Sequence, residues 1–197
     1  MNKKKVIAVA IVLALVLLIG GMLAYFTDTD TKSNTFTLGN VNIKIEETFT
    51  EAEAQNLMPN QQVAKTPVVT NESTKNPAYV FAKVTIPCYA ASGTGNVDTP
   101  LYTLTGTAAG WNLMSTGAID TTNKTITYIY NYGSADAMTE LAASASTPAL
   151  FTTVTVANIT GAQAGTVSAT PNVVINAYGI QTKGLSVTAP ADIFGLF

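Results

Sequence analysis

The sequence predicts an all-β protein, an antiparallel β-sandwich with short helical or loop insertions, preceded by an N-terminal export signal. Segments of apolar–polar alternation recur along the chain. Gly-, Asn- and Ser-rich turns separate them at intervals of roughly 10 to 20 residues, the spacing of short strands. Only Asp136–Ala145 (DAMTELAASA) has helical composition, and Pro148 would end any helix there. Many short strands with few helices pack as two layers of sheet.

The signal comes first. Met1-Asn2-Lys3-Lys4-Lys5 is a positive cluster, Val6–Ile19 is an uncharged and mostly apolar run, and Gly20-Gly21-Met22-Leu23-Ala24 ends on a small residue. A basic stretch, an apolar stretch and a small residue at the cut are the parts of a secretory signal peptide. Cleavage between Ala24 and Tyr25 makes 1–24 the signal. The alternative is a retained anchor, because the apolar stretch from Val6 to Phe26 is long enough to span a bilayer. The glycine pair favours cleavage, since it weakens the helix where a peptidase needs extended chain. Behind the signal lie a polar, Thr- and Asp-rich segment with aromatic residues at its start, 25–38, and one domain, 39–197.

Within that domain Val41, Ile43 and Ile45 alternate with Asn42, Lys44 and Glu46, the period of a half-buried strand. Glu47–Gln62 reads as a loop with one helical turn over Glu51–Leu57. Val63–Asn71 and Ala78–Pro87 are strands separated by a turn-rich connection. In the second, Val80, Ala82, Val84 and Ile86 form the core face, and Tyr79, Phe81, Lys83 and Thr85 the opposite one. Shorter β-prone runs follow at Leu101–Leu104, Trp111–Met114, Thr125–Tyr132, Leu150–Val156 and Val173–Ile180.

Composition narrows the function. Charged residues are 11% of the chain and the formal net charge is −2, falling to −5 once Lys3, Lys4 and Lys5 are removed. That sign is repelled by phosphate, so no nucleic-acid partner is expected. A surface of neutral hydroxyls and amides suits packing against copies of itself. The lone Cys88 has no partner for an intramolecular disulfide, and its apolar surroundings read as those of a small buried hydrophobe.

The chain has no histidine, which removes Ser-His-Asp, Cys-His and HExxH chemistry together. Nucleotide-binding glycine motifs and CxxC pairs are absent too. Carboxylates remain. Glu46 and Glu47 with Glu51 and Glu53 are the residue type for a glycosidase pair, and Asp28 with Asp30 for calcium. Clustered acids at a strand end or in a polar arm are more simply solvated. No catalytic residue, cofactor or metal site is therefore assigned.

Several segments resemble one family. Ala24-Tyr25-Phe26-Thr27-Asp28 behind a Lys-led signal is similar to the processing region of the TasA and camelysin proteins of Gram-positive bacteria. Asn34–Ile43 (NTFTLGNVNI), Met58–Asn71 (MPNQQVAKTPVVTN) and Ala78-Tyr79-Val80 resemble further elements of that family in the same order, and Thr147–Phe151 and Ala177–Gln181 resemble its later parts. The resemblance implies a jelly-roll-like sandwich, processed by a signal peptidase of the SipW type, that polymerises head to tail into fibres of the biofilm matrix. It also implies donor-strand exchange, in which the mature N-terminus adds a strand to the next subunit. On this sequence the donor is 25–38. Tyr25, Phe26, Phe36 and Leu38 act as apolar plugs, and Thr27, Thr29, Thr31 and Thr35 as β-prone spacers. Other matrix proteins are further expected partners. The competing expectation is a monomeric surface adhesin or carbohydrate-binding module, anchored by an uncleaved N-terminal helix, that uses its strand aromatics. A secreted hydrolase is the third.

Overall fold

The computed structural model describes residues 41–49, 57–169 and 171–197. The signal, the 25–38 segment, Asp28, Asp30, Glu51 and Glu53 lie outside these residues, as does most of the turn expected over Glu51–Leu57. In chain order the elements are β1 (Ile43–Phe49), β2 (Gln62–Asn71), β3 (Ala78–Tyr89), β4 (Thr99–Pro100), β5 (Tyr102–Thr105), β6 (Trp111–Thr116), β7 (Thr125–Tyr132), β8 (Thr153–Val156), α1 (Gly161–Ala164), β9 (Val174–Gln181) and α2 (Pro190–Phe194). All strand pairs are antiparallel. The all-β sandwich reading holds.

One sheet runs β1-β2-β8-β5. Alternation in β2 turns Val63, Lys65, Pro67, Val69 and Asn71 inward, all buried, and leaves the even-numbered positions outward. Pro67 sits in the middle of this central strand, where a missing N–H would ordinarily break a ladder. Its carbonyl accepts from Leu150 N–H at 2.8 Å, so the absent donor faces the irregular 147–152 segment instead of β1. Regular pairing between β2 and β8 is accordingly confined to Gln62–Ala64 against Thr153–Thr155. This is why the expected strand over Leu150–Val156 is reduced to its last four residues.

The second sheet is built on β3, with β7 and then β6 on one side and β9 and β4 on the other. Val80, Ala82, Val84 and Ile86 face the first sheet, as their alternation requires, and pack with Ile43, Val69, Tyr102, Val154 and Val156. Closure is tight where β1 meets β9: a Cβ on Gly179 would lie 2.7 Å from Ile43 Cγ2. Only glycine admits that approach.

The other face of β3 is half-buried at Tyr79, Lys83 and Thr85 and fully buried at Phe81, which alternation alone did not indicate. Phe81 is fully enclosed because the C-terminal helix α2 folds over it. Pro190 starts that helix, and Phe194 and Phe197 pack tilted or edge-to-face against Phe81 and Tyr178 with ring centroids 5.2–6.0 Å apart. Burying a ring of this size contributes about 2–3 kcal/mol.

Asp136–Ala145 is not helical. It runs as an extended strap, bridging Gly133 to Met138 and Ala78 to Leu141, with Ser146 bridging Thr70 just beyond its end. Tertiary hydrogen bonding overrides helix propensity here. The buried Asn71 amide donates to the carbonyls of Asn76, Leu141 and Ala142 at 2.9–3.2 Å, and its oxygen accepts from Ser73 N–H at 3.1 Å. These bonds tie the strap to the β2–β3 connection.

Candidate assembly surface

The residues expected to carry assembly (Tyr25, Phe26, Thr27, Thr29, Thr31, Thr35, Phe36 and Leu38), together with the cut at Ala24, lie outside the described residues. The residues that lead into β1 are held in place. Val41 is buried, and Asn42 N–H donates to Ser73 Oγ at 2.8 Å. Asn42 O accepts from Glu72 N–H at 2.8 Å, and its amide donates to Glu72 Oε2 at 3.1 Å. With Ile43 seated on Gly179, the start of β1 is held by both sheets.

A sheet edge is a template for another strand unless something blunts it. The edge strands among the described residues are β1, β5, β6, β9 and the two-residue β4. Lys44, Glu46 and Glu47 charge β1, and a register shift between Leu113 and Ser115 kinks β6. The short β5 carries neither device: Tyr102 and Leu104 point inward, and Thr103 and Thr105 outward.

Beside β5 the two layers part into a cleft of about 460 Å³, lined chiefly by Ile86, Tyr89, Tyr102, Leu104, Tyr128 and Tyr130. Burial pushes the phenols of Tyr102, Tyr128 and Tyr130 up from their ordinary value, so they are neutral at physiological pH. Tyr102 donates its hydroxyl to Pro171 O at 2.8 Å. The cleft thus offers apolar and aromatic area, hydroxyls and no charge.

The described carboxylates do not converge. Glu46 pairs with Lys44 at 2.6 Å on the outward face of β1, while Glu47 pairs with Lys65 at 2.5 Å on the inward one. Neighbours on a strand point to opposite sides, so Glu46 and Glu47 cannot flank one scissile bond. Lys65 is nearly enclosed and also lies 4.5 Å from the centroid of the Phe49 ring. Cys88 is fully buried, as its surroundings predict, and burial, with a smaller push from Asp98, raises its thiol to about 11.

Residues 1–89 match the family described as camelysin metallo-endopeptidase. The match takes in the segments at Ala24–Asp28, Asn34–Ile43, Met58–Asn71 and Ala78–Val80, and upholds the resemblance drawn on them. Neither the curated proteins nor the solved structures gave a match. The family's description implies a metal. The donors of this chain do not fit one of the peptidase type: it has no histidine, and no three Asp, Glu or Cys side chains come together among the described residues. Nor is any helix among them long and apolar enough to cross a membrane.

Sequence reasoning missed the cleft. Tyr128 and Tyr130 were legible as one face of a strand, but Tyr89 and Tyr102 join them only through the β4–β5 corner. Thr99–Pro100 pairs with the end of β3, and the very next residues enter the other sheet.

Proposed function

We propose that this chain is an exported, non-enzymatic structural subunit that polymerises head to tail outside the cell, as the camelysin match and the signal-like N-terminus favour. In this reading 25–38 of one copy leaves its own subunit and adds as a strand to the next. The observation that carries the reading is the pairing of an uncharged, regular edge, β5, with the uncharged tyrosine-lined cleft beside it. An incoming strand satisfies both needs at once: its backbone completes the edge, and alternate side chains such as Phe36 and Leu38 fill the cleft. The contact joins two different surfaces and therefore propagates instead of closing. The neutral, hydroxyl-rich composition adds support, because closely spaced copies meet little repulsion. Removal of 1–24 by a SipW-type peptidase would free the strand, making the cut the start of assembly.

Electron microscopy of the secreted protein tests this. Filaments are expected from the chain beginning at Tyr25, and none after deletion of Tyr25–Leu38. Filaments that persist after the deletion would overturn the donor-strand mechanism.

A further inference from the structure

We infer that the outward face of the β1-β2-β8-β5 sheet is a docking surface for the same face of a second copy. This lateral contact is separate from end-to-end growth. Strand register assembles the face. Thr103 stands opposite Thr155 and Thr105 opposite Thr153. Gln62 and Ala64 continue those two rows on β2, and Thr48 stands opposite Thr66 on β1. Thr70 bonds Ser146, their hydroxyl oxygens 2.8 Å apart. Thr103 and Thr105 are exposed, and Thr66, Val68, Thr70, Thr153 and Thr155 half-buried. Sheet geometry sets these hydroxyls on a lattice of about 4.8 Å between strands and about 6.7 Å along them.

Three properties select a second copy as the occupant. The first is charge. No charged residue stands at an outward position of β2, β8 or β5, and the two on β1, Lys44 and Glu46, pair with each other at 2.6 Å. A chain of net negative charge repels its copies most where its carboxylates lie, and least across this face. The second is hydrogen bonding. A hydroxyl both donates and accepts, so a threonine face is complementary to itself under a two-fold axis, which a row of carboxylates or ammonium groups is not. The third is entropy. Threonine is stiff at χ1, so ordering this face costs little compared with ordering lysines or glutamates. The outward positions carry no aromatic ring, which a face built to stack on sugars would need.

The test uses the chain as secreted and compares wild type, Gln62→Lys/Thr155→Lys on the two central strands, and a Thr122→Lys control in the turn before β7. Sedimentation velocity reads dimers where no filaments form, and electron microscopy reads side-by-side pairing where they do. Wild type should self-associate laterally. The double lysine variant should need at least tenfold more protein for half-association while still growing single filaments, and the control should match wild type. In a Cys88→Ala background, Thr155→Cys on the central strand should form a disulfide-linked dimer, and Thr122→Cys should not. If the lysine variant fails to fold, this cross-link decides alone. Unchanged association in the lysine variant, no cross-link from Thr155→Cys, or a wild type that stays laterally single at every concentration each overturns the proposal. So does a non-associating wild type retained on insoluble polysaccharide, which would give the face to a glycan.

Discussion

Replacing Glu47 separates a structural carboxylate from a chemical one. Lys65 keeps only 8% of its side-chain surface and rests between Glu47, itself 38% exposed, and the Phe49 ring. Two unit charges 4 Å apart attract by about 4 kcal/mol at the effective dielectric of a protein margin. Access of water to Glu47 reduces this, and Gln can still accept a hydrogen bond from the ammonium. Glu47→Gln should therefore cost about 1–2 kcal/mol, less than the 3–5 kcal/mol of breaking a fully buried pair. Lys65→Met removes the charge that needs a partner and keeps the stem's packing, so it should lie within about 1 kcal/mol of wild type. The double variant should match Lys65→Met alone. Urea unfolding of the four proteins closes the cycle, and the gap should hold at high salt because the ammonium is shielded from solvent. Glu46→Gln, on the exposed Lys44 pair, should leave stability unchanged. Equal losses for Glu46→Gln and Glu47→Gln, or additivity in the cycle, would refute the reasoning.

Other perturbations have defined outcomes. Asn71→Ala leaves Ser73 N–H and the strap carbonyls without their buried partner, so it should cost about 2–4 kcal/mol. Hydrogen exchange should rise first in the segment bonded to it, 138–147. Gly179→Ala drives a methyl into Ile43 and should lower the urea midpoint; Gly179→Ala/Ile43→Val should recover part of the loss, as only a shared clash can. With pH, the folded Cys88 thiol holds its proton to about 11, whereas the unfolded thiol releases it near 9. The unfolded state thus binds fewer protons between these values. Stability should be complete below pH 9 and fall as pH rises towards 11, with the buried tyrosines adding loss in the same direction. Cys88→Ala should flatten the first part of that fall in urea titrations, and a midpoint that rises with pH would contradict it.

Much of the sandwich was legible because β-strand alternation reports directly on which face is wet. Val80 to Ile86, Val63 to Val69 and the Thr125–Tyr132 run all fold as their periods require. Three features escaped for separate physical reasons. The strap at Asp136–Ala145 has helical composition, but the carbonyls a helix would use internally are taken by Asn71, 70 residues away at Leu141. Phe81 alternates like an outward residue, yet α2 returns from the end of the chain to cover it, a contact that no local pattern encodes. The short α1 starts on a Thr160–Gln163 capping box that its four residues, two of them Ala and one Gly, did not advertise. At the assembly surface, the acidic pair Glu46–Glu47 was visible as adjacent residues, but its division between two faces follows only once β1 is placed. The cleft required the β4–β5 corner, where the chain changes sheets within a few residues.

The central claim is that 25–38 of one copy lies along β5 of another. A Phe36→Cys chain mixed with a Leu104→Cys chain, both in the Cys88→Ala background, tests it most directly under mild oxidation. The account predicts disulfide-linked pairs containing one chain of each kind, since Leu104 lines the cleft that an apolar donor residue fills. No link in the mixture, or a link that forms only within a single chain carrying both cysteines, would contradict it.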